Sequence, residues 1–293
     1  MIFMHHGPNM SSSSVVYESD TATEERPSQP TRTRIQATFQ IAHPAPKSSL
    51  RFAPKLLLQI QQLAQNHRPV PVLEIWQPPF RKSKLTRDFH QRVKLRSGDI
   101  YATLDESYMT NSTRRQNTSN TISDPESENI TTAKDIIAAM CHDDTASNIH
   151  FRNARCSWQA SAGTTGPNAS PPCYRFTIKD DETDPADPGR MILQWEKRSK
   201  ENAPAGSVDA EQFLLLLIDR KAKRKSRIAT MTKSEVDIIV RKSSILDGLQ
   251  VCYDLMGPLD STGRDSSEAL ECWLYTMTLT LGVWVGYQEG WLN

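Results

Sequence analysis

The stretch SEALECWLYTMTLTLGVWVGYQEGW (267–291) decides what the rest of the chain must build. Leu270, Trp273, Leu274, Met277, Leu281, Trp284 and Val285 follow one another at steps of 3, 1, 3, 4, 3 and 1. That spacing predicts an α-helix with one broad apolar face, with Ser266 or Ser267 as its N-cap. A helix of about 22 residues is about 33 Å long, enough to cross a small domain. No charge stands between Glu271 and Glu289, so the run also touches the lower length limit for a membrane span. A C-terminal membrane anchor is therefore the rival reading, with Trp273, Tyr275, Trp284, Tyr287 and Trp291 as interfacial residues. Thr276, Thr278, Thr280, Gly282 and Gly286 interrupt the run, and no basic cluster flanks it. These features favour burial in protein.

Upstream lie seven strand-like stretches that could receive such a helix. NIHFR (148–152), RCSWQAS (155–161), CYRFTIKD (173–180) and RMILQWEK (190–197) alternate apolar and polar residues. QFLLLLIDR (212–220) is apolar from Phe213 to Ile218, as for a strand covered on both sides. RIATMTK (227–233) and VDIIVRK (236–242) follow. Gly, Pro, Asn and Asp mark most of the breaks between them, as turns require. The chain is thus expected to be mainly β, an antiparallel barrel or sandwich closed by a C-terminal helix.

The other segments are weaker. Residues 1–50 are rich in Ser, Thr, Pro and Gln and are expected to be disordered. Residues 51–109 form an arm that packs on the main domain. Within it Leu56, Leu57, Ile60, Leu63 and Ala64 sit at helical spacing before Pro69 and Pro71, and VLEIW (72–76) and GDIYATL (98–104) are short extended pieces. Residues 110–130 resemble a linker, and TTAKDIIAAM (131–140) is expected to open the 131–293 domain as a short helix.

Lys and Arg total 35 against 34 Asp and Glu, a net charge of +1, which gives no global signal for nucleic acid. The five cysteines are odd in number and none forms C-x-x-C, which points to a reducing, intracellular setting, cytoplasmic or nuclear. MIFMHHGPNMSSSS (1–14) lacks the pattern of a secretory signal, so the N-x-S/T matches at Asn111, Asn117, Asn129 and Asn168 are expected to be accidental.

Seven strands followed by one amphipathic helix, with Trp273 or Trp284 facing inward, resemble the pleckstrin-homology-like fold. That resemblance covers residues 131–293 and implies a partly open barrel plugged at one end by Trp273, Met277, Leu281 and Trp284. The combination of KLLLQIQQL (55–63), RPVPVLEI (68–75) and GVWVGYQEGW (282–291) also resembles a group of uncharacterised fungal proteins. It implies a similar element order and no chemistry.

The most distinctive charge feature is DRKAKRKSR (219–227), with Arg220, Lys221, Lys223, Arg224, Lys225 and Arg227 on an expected hairpin. It could contact a phosphoinositide or another anionic lipid, serve nuclear import or touch RNA, with nucleic acid the less expected partner, or simply be a solvated tip that guards a sheet edge. CHDD (141–144) has no second ligand pair at metal spacing, DDETDPADPG (180–189) reads as a turn, and SAGTTGPN (161–168) lacks the lysine of a phosphate cradle. No catalytic motif is present and no cofactor or metal is expected. The expectation is a non-enzymatic protein-binding module, the alternative being membrane targeting through the basic hairpin or the terminal helix.

Overall fold

The computed structural model describes residues 35–44, 53–64, 68–79, 83–85, 89, 93–105, 136–142, 147–164, 172–179, 191–199, 211–257 and 266–292. The chain divides into two units, residues 1–32 and 33–293, and everything described belongs to the second. Its strands are β1 (Ile35–Ala42), β2 (Lys55–Leu63), β3 (Val70–Gln77), β4 (Ser83–Leu85), β5 (Val93–Leu95), β6 (Ile100–Leu104) and β7 (Ile136–His142). They continue as β8 (Ser147–Phe151), β9 (Ser157–Thr164), β10 (Pro172–Lys179), β11 (Ile192–Ser199), β12 (Glu211–Asp219), β13 (Arg224–Met231) and β14 (Glu235–Val240). Two helices follow, α1 (Ser243–Met256) and α2 (Ser266–Gln288).

Twelve of the strands close into one barrel in the order β1-β14-β13-β12-β11-β10-β9-β8-β7-β6-β3-β2. All neighbours are antiparallel, and β1 completes the ring by pairing with both β14 and β2. The remaining two strands, β4 and β5, form a separate ribbon inserted between β3 and β6.

Strand number dictates what fills the lumen. At about 4.8 Å between strands and a tilt near 40°, twelve strands give a backbone diameter of about 24 Å, against about 14 Å for seven. Wall side chains alone do not span 24 Å, but a helix about 10–12 Å across does fill the gap. Helix α2 occupies it: every residue from Trp273 to Gly286 is buried. Inward-facing residues meet it from all around, among them Phe39 of β1, Ile75 of β3, Phe151 of β8, Trp158 of β9, Phe176 of β10, Trp195 of β11, Phe213 of β12 and Ile238 of β14. Phe39 packs edge-on to Tyr275, while Tyr174 and Phe176 pack edge-on to Trp284. The two sets approach α2 from opposite faces, since residues nine apart on a helix lie about half a turn around. On the outside, the β4–β5 ribbon builds a second small core from Leu85, Phe89, Val93 and Leu95 over Tyr101, Ile136 and Ala139.

The structure corrects the expected fold. The domain is a closed twelve-stranded barrel, not a seven-stranded pleckstrin-homology-like barrel or sandwich plugged at one end. Trp273, Met277, Leu281 and Trp284 are buried, but so are Thr276, Thr278 and Thr280, at 3 %, 0 % and 0 % exposure, because strands surround the helix on every side. The segment read as a helical arm is β2. Its Leu58 and Ile60 point into the barrel, while Gln59 and Gln61 point out and hydrogen-bond at 2.7 Å. Register shifts between Leu56 and Leu58, and again beside Pro71, bring Leu57 and Leu58 both into the interior and mimic helical spacing. TTAKDIIAAM likewise holds β7 rather than a helix: Ile136 to Met140 are buried in succession between the lumen and the β4–β5 ribbon, which hides the period of two. Residues 35–42, inside the segment expected to be disordered, are the strand that closes the barrel.

Candidate functional site

The register defines two barrel ends. One is capped by α1, which leaves β14 at Val240. Its Gly248 lies where an added Cβ would stand 3.0 Å from Leu217 of β12 and 3.1 Å from Met191 before β11. The helix then reaches the β8–β9 turn, where the Arg155 N–H donates to the Met256 carbonyl at 2.9 Å and Cys156 Sγ lies 3.3 Å from Met256 Sδ. Ile245, Leu249, Cys252 and Met256 are buried, at steps of 4, 3 and 4, so α1 lays one stripe across the opening. Burial pushes the Cys252 thiol up to about 12, with Cys156 adding to it. The outer face of α1 leaves Val251 and Leu255, one turn apart, 49 % and 47 % exposed.

The basic hairpin hangs from this same end. Asp219 pairs with Arg224 across the β12–β13 turn, and the Ala222 N–H donates to the Asp219 carboxylate at 3.0 Å. Lys223 takes the left-handed conformation at φ 51°, which costs a side-chain-bearing residue about 1–2 kcal/mol. Arg220, Lys221, Lys223, Arg224, Lys225 and Arg227 are all exposed. Lys225 is distinct, because its ammonium sits 3.1 Å from Glu196 on the outer wall, where Arg198 also binds the carboxylate at 2.9 Å. Arg241 and Lys242, between β14 and α1, are exposed beside the hairpin. Sequence reading missed them and the whole of α1, although the 4, 3, 4 spacing was there to be found.

The opposite end anchors the C-terminus of α2. Gly290, at φ 73°, ends the helix, with the Trp291 N–H donating to the Gly286 carbonyl at 2.8 Å and the Gly290 N–H donating to the Tyr287 carbonyl at 3.1 Å. This is a Schellman closure, and the Trp291 ring folds back over Gly286 as its apolar contact. Glu289 then accepts from the Tyr174 hydroxyl and from Lys197 at 2.9 Å. Burial alone would lower the Lys197 ammonium, but Glu289 and Glu211 outweigh it and hold its pKa above the usual lysine value. Burial and the same Glu289 raise the Tyr174 phenol. Nearby, His142 packs against Tyr287 with the rings tilted by 43° and their centres 4.6 Å apart, and it lies 3.8 Å from Asp99. Burial would raise the Asp99 carboxyl. The His142 side chain and the backbone N–H groups of His142 and Arg96 prevail and keep it below the ordinary value.

These polar groups tie the wall to the helix and to one another. Among the described residues no group of three or more His, Cys, Asp or Glu is placed to hold a metal ion, and none of the five cysteines forms a disulfide. Asp143, Asp144, residues 180–189 and residues 165–168 lie outside the described residues, as do the 110–130 segment and residues 1–34. No helix among the described residues is long and apolar enough to cross a membrane.

No protein-family model, curated protein or solved structure matches this chain. Neither resemblance drawn from the sequence is therefore carried further, and the pleckstrin-homology-like one is overturned by the strand count and closure.

Proposed function

We propose that this chain is a non-enzymatic binding module that docks an acidic protein surface on the barrel end capped by α1. The supporting observation is the gathering of exposed cations at that end, on the β12–β13 hairpin and at Arg241 and Lys242, beside the exposed Val251 and Leu255. Cations steer an acidic partner and set its on-rate, while two aliphatic side chains give it something to desolvate. Asp247 and Asp254 are exposed on the same helix, which suits a partner of mixed charge better than a uniformly anionic membrane. The exposed large apolar residues among those described are Leu63, Val251 and Leu255, none of them an aromatic platform for unpaired bases. An intracellular compartment, cytoplasmic or nuclear, is consistent with five cysteines that form no disulfide.

The test is fluorescence anisotropy with the full chain and a labelled peptide of alternating Glu and Leu. Vesicles containing phosphatidylserine and a single-stranded oligonucleotide serve as rival probes. Binding to the peptide should weaken with salt, and should be lost when Arg220, Lys221, Lys223 and Arg224 are changed to Glu. Val251→Ser with Leu255→Ser, in the otherwise unchanged chain, should weaken it. Tighter binding to vesicles or to the oligonucleotide, or peptide binding indifferent to the charge reversal, refutes the assignment.

A further inference from the structure

The interior of the barrel contains polar atoms that the fold itself does not satisfy. The indole N–H groups of Trp158, Trp195, Trp273 and Trp284 and the hydroxyls of Thr278 and Thr280 are buried without a hydrogen-bond partner among the described residues. These residues are at most 2 % exposed. Buried polar groups of native proteins are almost always paired, with protein or with ordered water, so each of these requires an account.

Strand register and helical pitch relate three of them. Trp284 packs edge-on to Phe176, with ring centres 5.4 Å apart. Two residues further along β10, on the same inward face, Ile178 pairs with Trp158 of β9. That step advances about 5 Å along the barrel axis, given about 3.4 Å per residue and a tilt near 40°. One turn back along α2 from Trp284 lies Thr280, about 6 Å along the same axis and in the same direction. Register and helical pitch thus set Trp158 and Thr280 in one layer, on the side of the helix that Trp284 faces. The other three groups lie elsewhere: Trp195 beside Gly282, Trp273 against Tyr253, and Thr278 on a different face of α2.

We propose that Trp158, Thr280 and Trp284 form an internal binding site for ordered water. An indole N–H only donates, whereas a threonine hydroxyl both donates and accepts. The occupant must therefore accept from two donors and still exchange a bond with the hydroxyl. Water does this, with two acceptor and two donor positions, and typically makes about three such bonds when buried. The described residues cover α2 at every position from Trp273 to Gly286, so the site is enclosed by protein, as an ordered buried water requires. The site also explains why a helix enclosed by apolar walls carries threonine at position 280: the hydroxyl orients the water that satisfies the two tryptophans.

Nuclear magnetic resonance on the full chain with labelled indole nitrogens tests this directly. The indole protons of Trp158 and Trp284 should show cross-peaks to water with the sign of dipolar transfer rather than of chemical exchange. Thr280→Val, which keeps the shape and removes the hydroxyl, should lower the thermal midpoint, because the water loses a partner. In a dry site the same change deletes an unpaired hydroxyl and raises the midpoint. A raised midpoint, or indole protons of Trp158 and Trp284 that show no water contact, overturns the proposal. The measurement on the unsubstituted chain stands even where the variant fails to fold.

Discussion

Replacing Thr278 with lysine separates a helix enclosed on all sides from one that merely covers an opening. Thr278 is 0 % exposed and lies ten residues from Gln288 at the end of α2, about 15 Å of helix. It is farther still from Ser266, so a lysine there cannot carry its ammonium out along the helix to water. A buried lysine titrates as much as 3–5 units below its ordinary value, and each unit is 1.36 kcal/mol. The expected cost at pH 7 is therefore about 4–5 kcal/mol, a large share of the about 5–15 kcal/mol that holds a typical domain. The sign of its pH dependence is fixed. Between the depressed folded pKa and the unfolded value near 10.4, the unfolded state binds more protons, so stability rises with pH by about 1.4 kcal/mol per unit. Urea unfolding at pH 7 and pH 9 should show the variant regaining about 2.7 kcal/mol relative to the unsubstituted chain. Gln288→Lys, at an exposed position, should change stability by less than about 0.5 kcal/mol at either pH. A Thr278→Lys protein as stable as the Gln288→Lys control would refute the threaded helix.

Trp284→Ala should cost about 3–5 kcal/mol in chemical denaturation and open a lumen cavity between Tyr174 and Phe176, and added benzene or indole should recover part of the loss. Gly290→Ala, at φ 73°, should cost about 1–2 kcal/mol through left-handed strain at the Schellman closure, read as a lower thermal midpoint. Lys197 and Tyr174 both have raised folded values, so the stability they contribute is complete below about pH 10 and is lost as pH rises through those values. The midpoint should fall above pH 10, and Glu289→Gln should flatten that fall; a variant profile parallel to the original would show that Glu289 is not the common partner. Asp99 has the opposite sign: its lowered value gives stability that is present above the ordinary carboxyl range and lost in acid, so Asp99→Asn should weaken the chain at pH 7 and narrow the difference toward pH 3.

Much of this architecture was legible where strands face the lumen on one side and water on the other. Tyr174, Phe176 and Ile178 of β10 and Val236, Ile238 and Val240 of β14 keep a clean period of two. The exposed state of the basic hairpin was equally plain, since six cations in nine residues have nowhere dry to go. The pattern failed where a strand is covered on both faces or carries a bulge. Ile136 to Met140 of β7 and Leu56 to Ile60 of β2 then show an apolar run or a false helical spacing. Helix α1 went unseen because Val251 and Leu255 add apolar residues to its wet face and blur its buried stripe.

By itself the sequence determined that the chain is mainly β and that its last long segment is helical with a broad apolar face; both follow from local spacing, which neighbouring residues fix among themselves. The number of strands, their closure through β1 and the passage of α2 along the axis were decided only in three dimensions. Ring closure depends on whether residues about 200 positions apart, such as Ile35 and Val240, pair. No local period records that pairing. The same holds for Thr278 and Thr280, which interrupt the apolar run in the sequence and are enclosed on every side only once the barrel closes.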